Sequence, residues 1–322
     1  MPLSVAVCTY NRSKWLAELV ASLRAQECRL PFEILIVDNK SSDGTAQLVK
    51  HLQSSQGAPI RYEREERQGI VFARNLALES CSQSDFMAFI DDDELPEAGW
   101  LQSAFDGLDG DGADCVGGRI GLRFSPEKRP GWLEEQVLCF LGQLDYGETA
   151  FWITDDSKPV WSGNVAYRMS LFKNAKLRFD LRYNRAGNGI GGGEDLRMFR
   201  ALRAQGAKLR YRPDMAISHR IEPWKLRRRY FLMLHMKAGC QAGLFETTEY
   251  RRSLAGVPPF MIVQAMRHWQ AACSLILRKR NGSLLQSMIA AHAVGRIWGR
   301  VKRWQRERSV VDTHANLTSA ES

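Results

Sequence analysis

Five apolar residues, Phe86-Met87-Ala88-Phe89-Ile90, run directly into three aspartates and a glutamate, Asp91–Glu94. An apolar run this short suits a strand buried on both faces of a parallel sheet. The acids then fall at its C-terminal end, where open α/β sheets bind ligands. Side chains alternate along an extended chain, so Asp91 and Asp93 point one way and Asp92 the other. Carboxylates this close repel unless a cation lies between them. Hard oxygen ligands favour Mg²⁺ or Mn²⁺, which keep much of their water and also hold substrate phosphates. A solvated acidic turn before a helix begun at Pro96 is the other reading of these residues.

The same alternation extends over much of the chain. Strands are expected at Leu3–Thr9, Phe32–Val37, Ile60–Arg64, near Cys115–Phe124 and over Leu209–His219. Helices are expected from an Asn11 or Ser13 cap to about Gln26, and over Ser42–Ser54, Gly69–Ser80, Pro96–Leu108 and Glu194–Gln205. Ser125–Asp156 reads as irregular, and Trp161–Arg168 returns to order. Strands alternating with helices predict an α/β fold: a mostly parallel central sheet, flanked by helices and joined by right-handed crossovers.

The 322 residues are 44% hydrophobic, enough for one large domain with an appendage. Seven scattered cysteines with no C-x-x-C pair argue for a reducing compartment and against structural zinc. The start, MPLSVAVCTYNR, has neither the basic nor the long apolar region of a signal peptide. Of the net charge of +9, Pro223–Arg308 carries 17 Lys/Arg against 3 Asp/Glu, which leaves residues 1–222 at −3. Such asymmetry points to a polyanionic partner. We therefore divide the chain into a catalytic domain over 1–222, a basic helical region over 223–308 and a disordered tail over 309–322. In the basic region Phe260–Leu277 is interrupted by Gln264, Arg267, His268 and Gln270, too polar for a membrane span. Leu284–Trp304 mixes Trp298 and Trp304 with Arg296, Arg300, Lys302 and Arg303. Basic residues with interfacial tryptophans fit helices lying on an anionic membrane surface. A helical pair packed on the catalytic domain is the alternative.

Several polar residues converge on the strand tips. Thr9, Tyr10 and Asn11 follow the first strand and Asp38 ends the second, on the edge that carries Asp91–Asp93. A ring and a carboxylate there suit a nucleobase or ribose; each alone also reads as packing or an ordinary turn, and their convergence on one edge supports the first reading. Arg74 lies in a helix leading to that edge. Trp161-Ser162-Gly163-Asn164 pairs a ring with an amide, as a sugar contact or as a plain turn. Glu194-Asp195 forms a second acidic centre, preceded by Gly191-Gly192-Gly193, where backbone is free of side chains. A carboxylate at a helix N-terminus suits a general base, or simply caps the helix charge. Gly187, Gly189 and Gly192 spell G-x-G-x-x-G outside any βαβ setting, so a dinucleotide site is not expected. His219, at the end of the last strand, is a third metal ligand, a phosphate contact or a structural histidine.

In this order, VCTYNR (Val7–Arg12), IVDNKSSDGT (Ile36–Thr45), ARN (Ala73–Asn75), FIDDDE (Phe89–Glu94), SGN (Ser162–Asn164) and GGGEDLRMFRALRAQG (Gly191–Gly206) resemble the family-two glycosyltransferases of the GT-A fold. The resemblance implies inverting transfer of one sugar from a nucleotide-diphosphate sugar, most often a UDP-sugar, to an acceptor hydroxyl, with Mg²⁺ or Mn²⁺. It implies that Thr9, Tyr10, Asp38 and Arg74 hold the nucleoside, that Asp91 lies near ribose and metal, and that Asp93 binds the metal. Asp92 occupies the variable middle position of D-x-D. Asp195 matches the catalytic base, with Glu194 beside it supporting the acceptor. The Q-x-x-R-W motif and membrane spans of processive synthases are not found, so single addition is expected. After His219, RIEPWKLRRRYFLMLHMKAG resembles bacterial exopolysaccharide transferases that extend lipid-linked intermediates. That implies a glycan or polyprenyl-diphosphate-linked acceptor and attachment to the cytoplasmic face of the cell membrane. A nucleotidyltransferase making sugar nucleotides also needs a nucleotide pocket and acidic ligands. A non-catalytic polybasic module binding nucleic acid would leave the clustered acids without a purpose, so no nucleic-acid partner is expected.

Overall fold

A computed structural model describes residues 2–124, 128–175, 177–186, 189–245, 248 and 250–320. In the first ninety residues the apolar runs become β1 (Leu3–Thr9), β2 (Phe32–Asp38), β3 (Ile60–Arg64) and β4 (Phe86–Ile90). The amphipathic segments between them become α1 (Ser13–Arg24), α2 (Thr45–Gln53) and α3 (Ile70–Ser80). All residues of β1 and β4 are buried, as strands covered by helices on both faces require. There follow β5 (Glu94–Pro96), α4 (Trp100–Phe105), β6 (Cys115–Arg123), β7 (Phe151–Ile153), β8 (Asn164–Arg168), α5 (Ser170–Ala175), α6 (Glu194–Ala204) and β9 (Leu209–Arg220).

One sheet runs β3-β2-β1-β4-β8-β6-β9-β5, with β7 also paired to β9. Its first four strands are parallel. Beyond β4 it is mixed: β8 is antiparallel to both β4 and β6, β9 is parallel to β6, and β5 and β7 are antiparallel to β9. The mostly parallel sheet expected from the sequence is thus parallel through β3-β2-β1-β4 and again at β6–β9, with antiparallel pairs at β8, β5 and β7. The reversal at β8 is possible because the return from Arg123 is a long irregular excursion rather than a helical crossover.

Local expectations fail where distant backbone intervenes. The segment at Pro96 pairs with β9, Glu94 opposite His219, and the helix starts only at Trp100. It widens into a π-helical turn over Asp106–Gly110. Neither Asn11 nor Ser13 caps α1 with its side chain. Asn11 adopts a positive φ of 52°, and its Oδ1 accepts from the Ser42 amide at 2.8 Å. Asp43, thirty residues on, accepts from the Ser13 amide at 3.1 Å and from the Thr45 amide at 3.0 Å, and so caps two helices at once. Gly187 of the glycine-rich loop and Ser125 of the irregular stretch lie outside the described residues.

The chain forms two compact units. The first comprises Met1–Arg129 and Leu138–Ile221 and contains the sheet. The second comprises Pro130–Val137 and Glu222–Ser322, including α7 (Arg228–Phe245), α8 (Pro259–Leu277) and α9 (Ser283–Ala320). Both α7 and α8 pack on α9. A Cβ on Gly239 would lie 2.1 Å from the His292 carbonyl oxygen, and one on Gly295 2.1 Å from that of Met236. The two backbones thus approach as closely as glycines allow. Helix α9 continues to Ala320, through residues expected to form a disordered tail. Among the described residues no helix is long and apolar enough to cross a membrane.

Candidate active site

Parallel pairing sets the strand tips level, with Thr9 opposite Asp38. The Thr9 hydroxyl donates to Asp92 Oδ2 at 2.7 Å, tying β1 to the acidic turn after β4. Tyr10 follows at the same edge, half-buried. The Asp38 carboxylate is buried and accepts from the Ser41 amide and the Tyr62 hydroxyl, both at 2.7 Å, with Arg64 at 3.5 Å.

The four consecutive acids have four different surroundings. Glu94 is buried, and its Oε2 accepts from the Asp91 amide at 2.9 Å. A Cβ on Gly163 would meet Glu94 Oε1 at 2.6 Å, so glycine there makes room for the carboxyl. Burial, then the charges of Asp91 and Asp93, push Glu94 well above the usual carboxylate range. Desolvation, then Asp93, push Asp92 up to about 7 against the pull of Arg12 and the Thr9 hydroxyl. Asp93 Oδ2 lies 3.5 Å from His219 Nε2 and 3.8 Å from an Arg12 nitrogen. The β5–β9 pairing creates the first of these contacts, and the Arg220 amide donates to the Asp93 carbonyl at 2.8 Å. Asp91 faces the other way, to Arg74.

Arg74 joins the two acidic centres. Its Nη2 donates to Asp91 Oδ1 at 3.2 Å, and its Nη1 to Asp195 Oδ1 at 2.6 Å and Glu194 Oε1 at 3.2 Å. Burial opposes its charge, but Asp195, Asp91 and Glu194 outweigh burial and keep the guanidinium ionised. The Phe179 ring lies 5.6 Å from it. Gly193, at a φ of 112°, turns the chain into α6 so that Glu194 points inward and is buried. Burial, then the charge of Asp195, raise the Glu194 carboxyl against the pull of Arg74. Its Oε2 has no hydrogen-bond partner among the described residues. Asp195 remains 24% exposed, and among the described residues its hydrogen bond runs through Oδ1.

Two residues expected at the nucleotide have partners within the protein. Arg74, expected at the nucleoside, gives both terminal nitrogens to carboxylates in this structure. Asn164 was expected at the nucleotide; it is buried, its Oδ1 accepts from Trp100 Nε1 at 2.7 Å, and its Nδ2 donates to the carbonyls of Arg119 and Met215 at 2.9 and 2.8 Å. Both amide hydrogens are spent on holding β8 to its neighbours. Asn11 acts as a loop staple. Sequence reasoning gave no role to Arg12, Glu94, Asp43 or Tyr62. Arg12, Asp43 and Glu94 sit inside the motifs of the family resemblance, which was their one signal; Tyr62 acts through Asp38, 24 residues away.

Among the described residues no group of three or more His, Cys, Asp or Glu is arranged to hold a metal. Asp93 and His219 do approach each other, which fits an ion taking its other ligands from water and phosphate oxygens.

The family profile for glycosyl transferase family 2 matches residues 4–175. The succinoglycan biosynthesis protein ExoM of Rhizobium meliloti is 27% identical over 215 residues, 66% of this chain and 64% of ExoM. Glycosyltransferase AglE of Haloferax volcanii is 30% identical over 118 residues, 36% of this chain and 38% of AglE. The chain thus spans less than two thirds of either relative. Among solved structures, the mannosyltransferase PcManGT from Pyrobaculum calidifontis, in complex with GDP-Man and Mn²⁺, superposes with a TM-score of 0.60 at 15% identity, covering 92% of this chain and 87% of that one. S. aureus TarS 1-349 in complex with UDP-GlcNAc gives 0.53 at 21% identity, covering 75% and 66%. These likenesses concern the fold, which is GT-A, and with the profile covering more than half of the residues the chain belongs to glycosyl transferase family 2.

Proposed function

We propose that the protein moves one sugar, with inversion, from a nucleotide-diphosphate sugar, most readily a UDP-sugar, to a hydroxyl of a glycan acceptor carried on a polyprenyl diphosphate. The observation that carries this reading is Arg74, whose single guanidinium binds Asp91 on the donor side and Asp195 on the acceptor side. The two acidic centres therefore lie within reach of one side chain. In the reaction Asp195 Oδ2 takes the proton of the acceptor hydroxyl. The acceptor oxygen forms its bond to the anomeric carbon as the bond from that carbon to the diphosphate breaks, and the electron pair leaves with the nucleoside diphosphate. Glu194 packs beside Asp195 and supports the acceptor. Thr9, Tyr10, Asn11 and the Asp38–Tyr62–Arg64 group form the nucleoside wall. Asp93 and His219, with Asp91 near the ribose, would hold Mg²⁺ or Mn²⁺. When bound, that ion supplies positive charge opposite the departing diphosphate. Peripheral attachment to the inner face of the cell membrane would bring the site to a lipid-linked acceptor.

The test is thermal unfolding with a panel of nucleotide sugars, with and without Mn²⁺. A ligand at a hundredfold excess over its Kd adds about 2.7 kcal/mol to stability. We expect one nucleotide family to protect, more strongly with Mn²⁺. In Asp93→Ala the Mn²⁺-dependent part should vanish and turnover should fall roughly a thousandfold, the loss of several kcal/mol of charge stabilisation. Asp195→Asn should keep donor protection and lose transfer. Near-normal transfer by Asp195→Asn would remove it as the base, and no protection by any nucleotide sugar would remove the function.

A further inference from the structure

Helix α8 buries one face and leaves a second, apolar face in solvent. Met261, Ala265 and Ala272 are buried on the side that packs on α9. Ile262, Val263, Met266, Trp269, Ile276 and Leu277 are all exposed, Met266 by 59%, Trp269 by 60% and Leu277 by 83%. At 3.6 residues per turn these six fall within one arc of roughly 140°. Exposed Gln270 interrupts this arc, while exposed Gln264, Arg267 and Arg278 fall, with Phe260, in a separate and mostly polar arc. Single exposed apolar residues are ordinary, but a row of six along one helix marks a contact surface.

Charge identifies the occupant. From 250 to 306 the chain contains no Asp or Glu and eleven Lys or Arg. Arg278-Lys279-Arg280 directly follow α8, and Arg251-Arg252 precede it. A second copy of α8 laid on the first, in either direction, would set these cationic flanks against each other. An anionic bilayer accepts the apolar row and the flanking cations together. We infer that α8 lies in the plane of an anionic membrane, its Ile262–Leu277 face inserted among the acyl chains and Arg267, Arg278, Lys279 and Arg280 at the headgroups. The inference rests on the peripheral attachment proposed above, and not on the transfer chemistry.

Flotation of the full chain with vesicles of phosphatidylglycerol mixed with phosphatidylcholine, and with pure phosphatidylcholine vesicles, tests it. The native chain is expected to float with the anionic vesicles only, and less as salt is raised. Met266→Glu and Trp269→Glu, at exposed positions, should each weaken binding on the order of tenfold or more. Gln264→Glu adds the same charge on the polar arc and should weaken it much less. Circular dichroism and thermal unfolding identify variants with an intact fold. If the native chain binds no vesicles, attachment and this inference both fail, while nucleotide protection, measured without lipid, is untouched. If the native chain binds but Met266→Glu and Gln264→Glu behave alike, attachment stands as purely electrostatic and the inserted face is refuted. If light scattering shows a dimer that Met266→Glu splits, with no vesicle binding, the face belongs to a second copy and the inference is overturned.

Discussion

Two terminal nitrogens of Arg74 serve three carboxylates, one of them, Glu194, buried with it. Taking a charge out of water is costly unless its partner is held in place, and breaking such a buried pair costs about 3–5 kcal/mol. Arg74→Met should therefore lower the unfolding free energy by about 3 kcal/mol, the low end, because Glu194 can take up a proton once its partner is lost. The midpoint of urea unfolding measures this, and a change below about 1 kcal/mol would show the triad to be loosely coupled. Arg74→Lys keeps the charge but has no planar fork, so it should recover part of the stability and little of the activity. At this scale the acids were legible, since runs such as Asp91–Asp93 and Glu194-Asp195 are written consecutively. Their partners were not. Nothing near residue 74 announces a bond to residue 195, and Asn164 looks like a sugar contact until Trp100 takes its carbonyl.

The helices of the second unit carry their own tests. His235 of α7 and His292 of α9 bring their rings within 6.4 Å. Burial chiefly, then His292, pull His235 from 6.5 down to about 4, and burial, then Arg296, pull His292 down as well. The unfolded chain then binds protons that the folded one refuses. The stability from neutral His235 is fully present above pH 6.5 and is lost as pH falls toward 4. Denaturant unfolding across that window should show the decline, and His235→Gln should flatten it. The glycines between the same helices make a steric prediction. In Gly295→Ala the new methyl meets backbone, which cannot turn aside as a side chain can. Overpacking of this kind typically costs 1–3 kcal/mol, so its unfolding should begin roughly at a correspondingly lower denaturant concentration, and an unchanged midpoint would mean that α7 and α9 separate easily. The runs Phe260–Leu277 and Leu284–Trp304 were visible as segments in the sequence, but the close approach of α7 and α9 depends on glycines whose partners lie over fifty residues away.

Across the molecule, the second unit's long segment runs over Glu222–Ser322. That unit also takes in Pro130–Val137. Trp132 packs edge-on to Phe231 with ring centroids 6.0 Å apart, Arg228 lies over the Trp132 ring, and Glu134 accepts from the Gly282 amide at 2.9 Å. A chain cut after Glu222 would leave Trp132 and buried Leu133 without this cover. It should aggregate or melt lower than the full chain in light scattering and calorimetry; a soluble, equally stable product would show the segment to be dispensable.

The sequence alone determined the succession of strands and helices around β4 and the identity of the acids at its tip. Periodicity and consecutive residues are local, and local patterns survive in one dimension. Only the tertiary structure decided that His219 faces Asp93, that Arg74 ties Asp91 to Asp195, that β8 turns the sheet antiparallel, and that eight residues before Leu138 belong with helices a hundred residues later. Each of these is a pairing between distant parts of the chain, fixed by backbone hydrogen bonding and burial that no spacing along the sequence encodes.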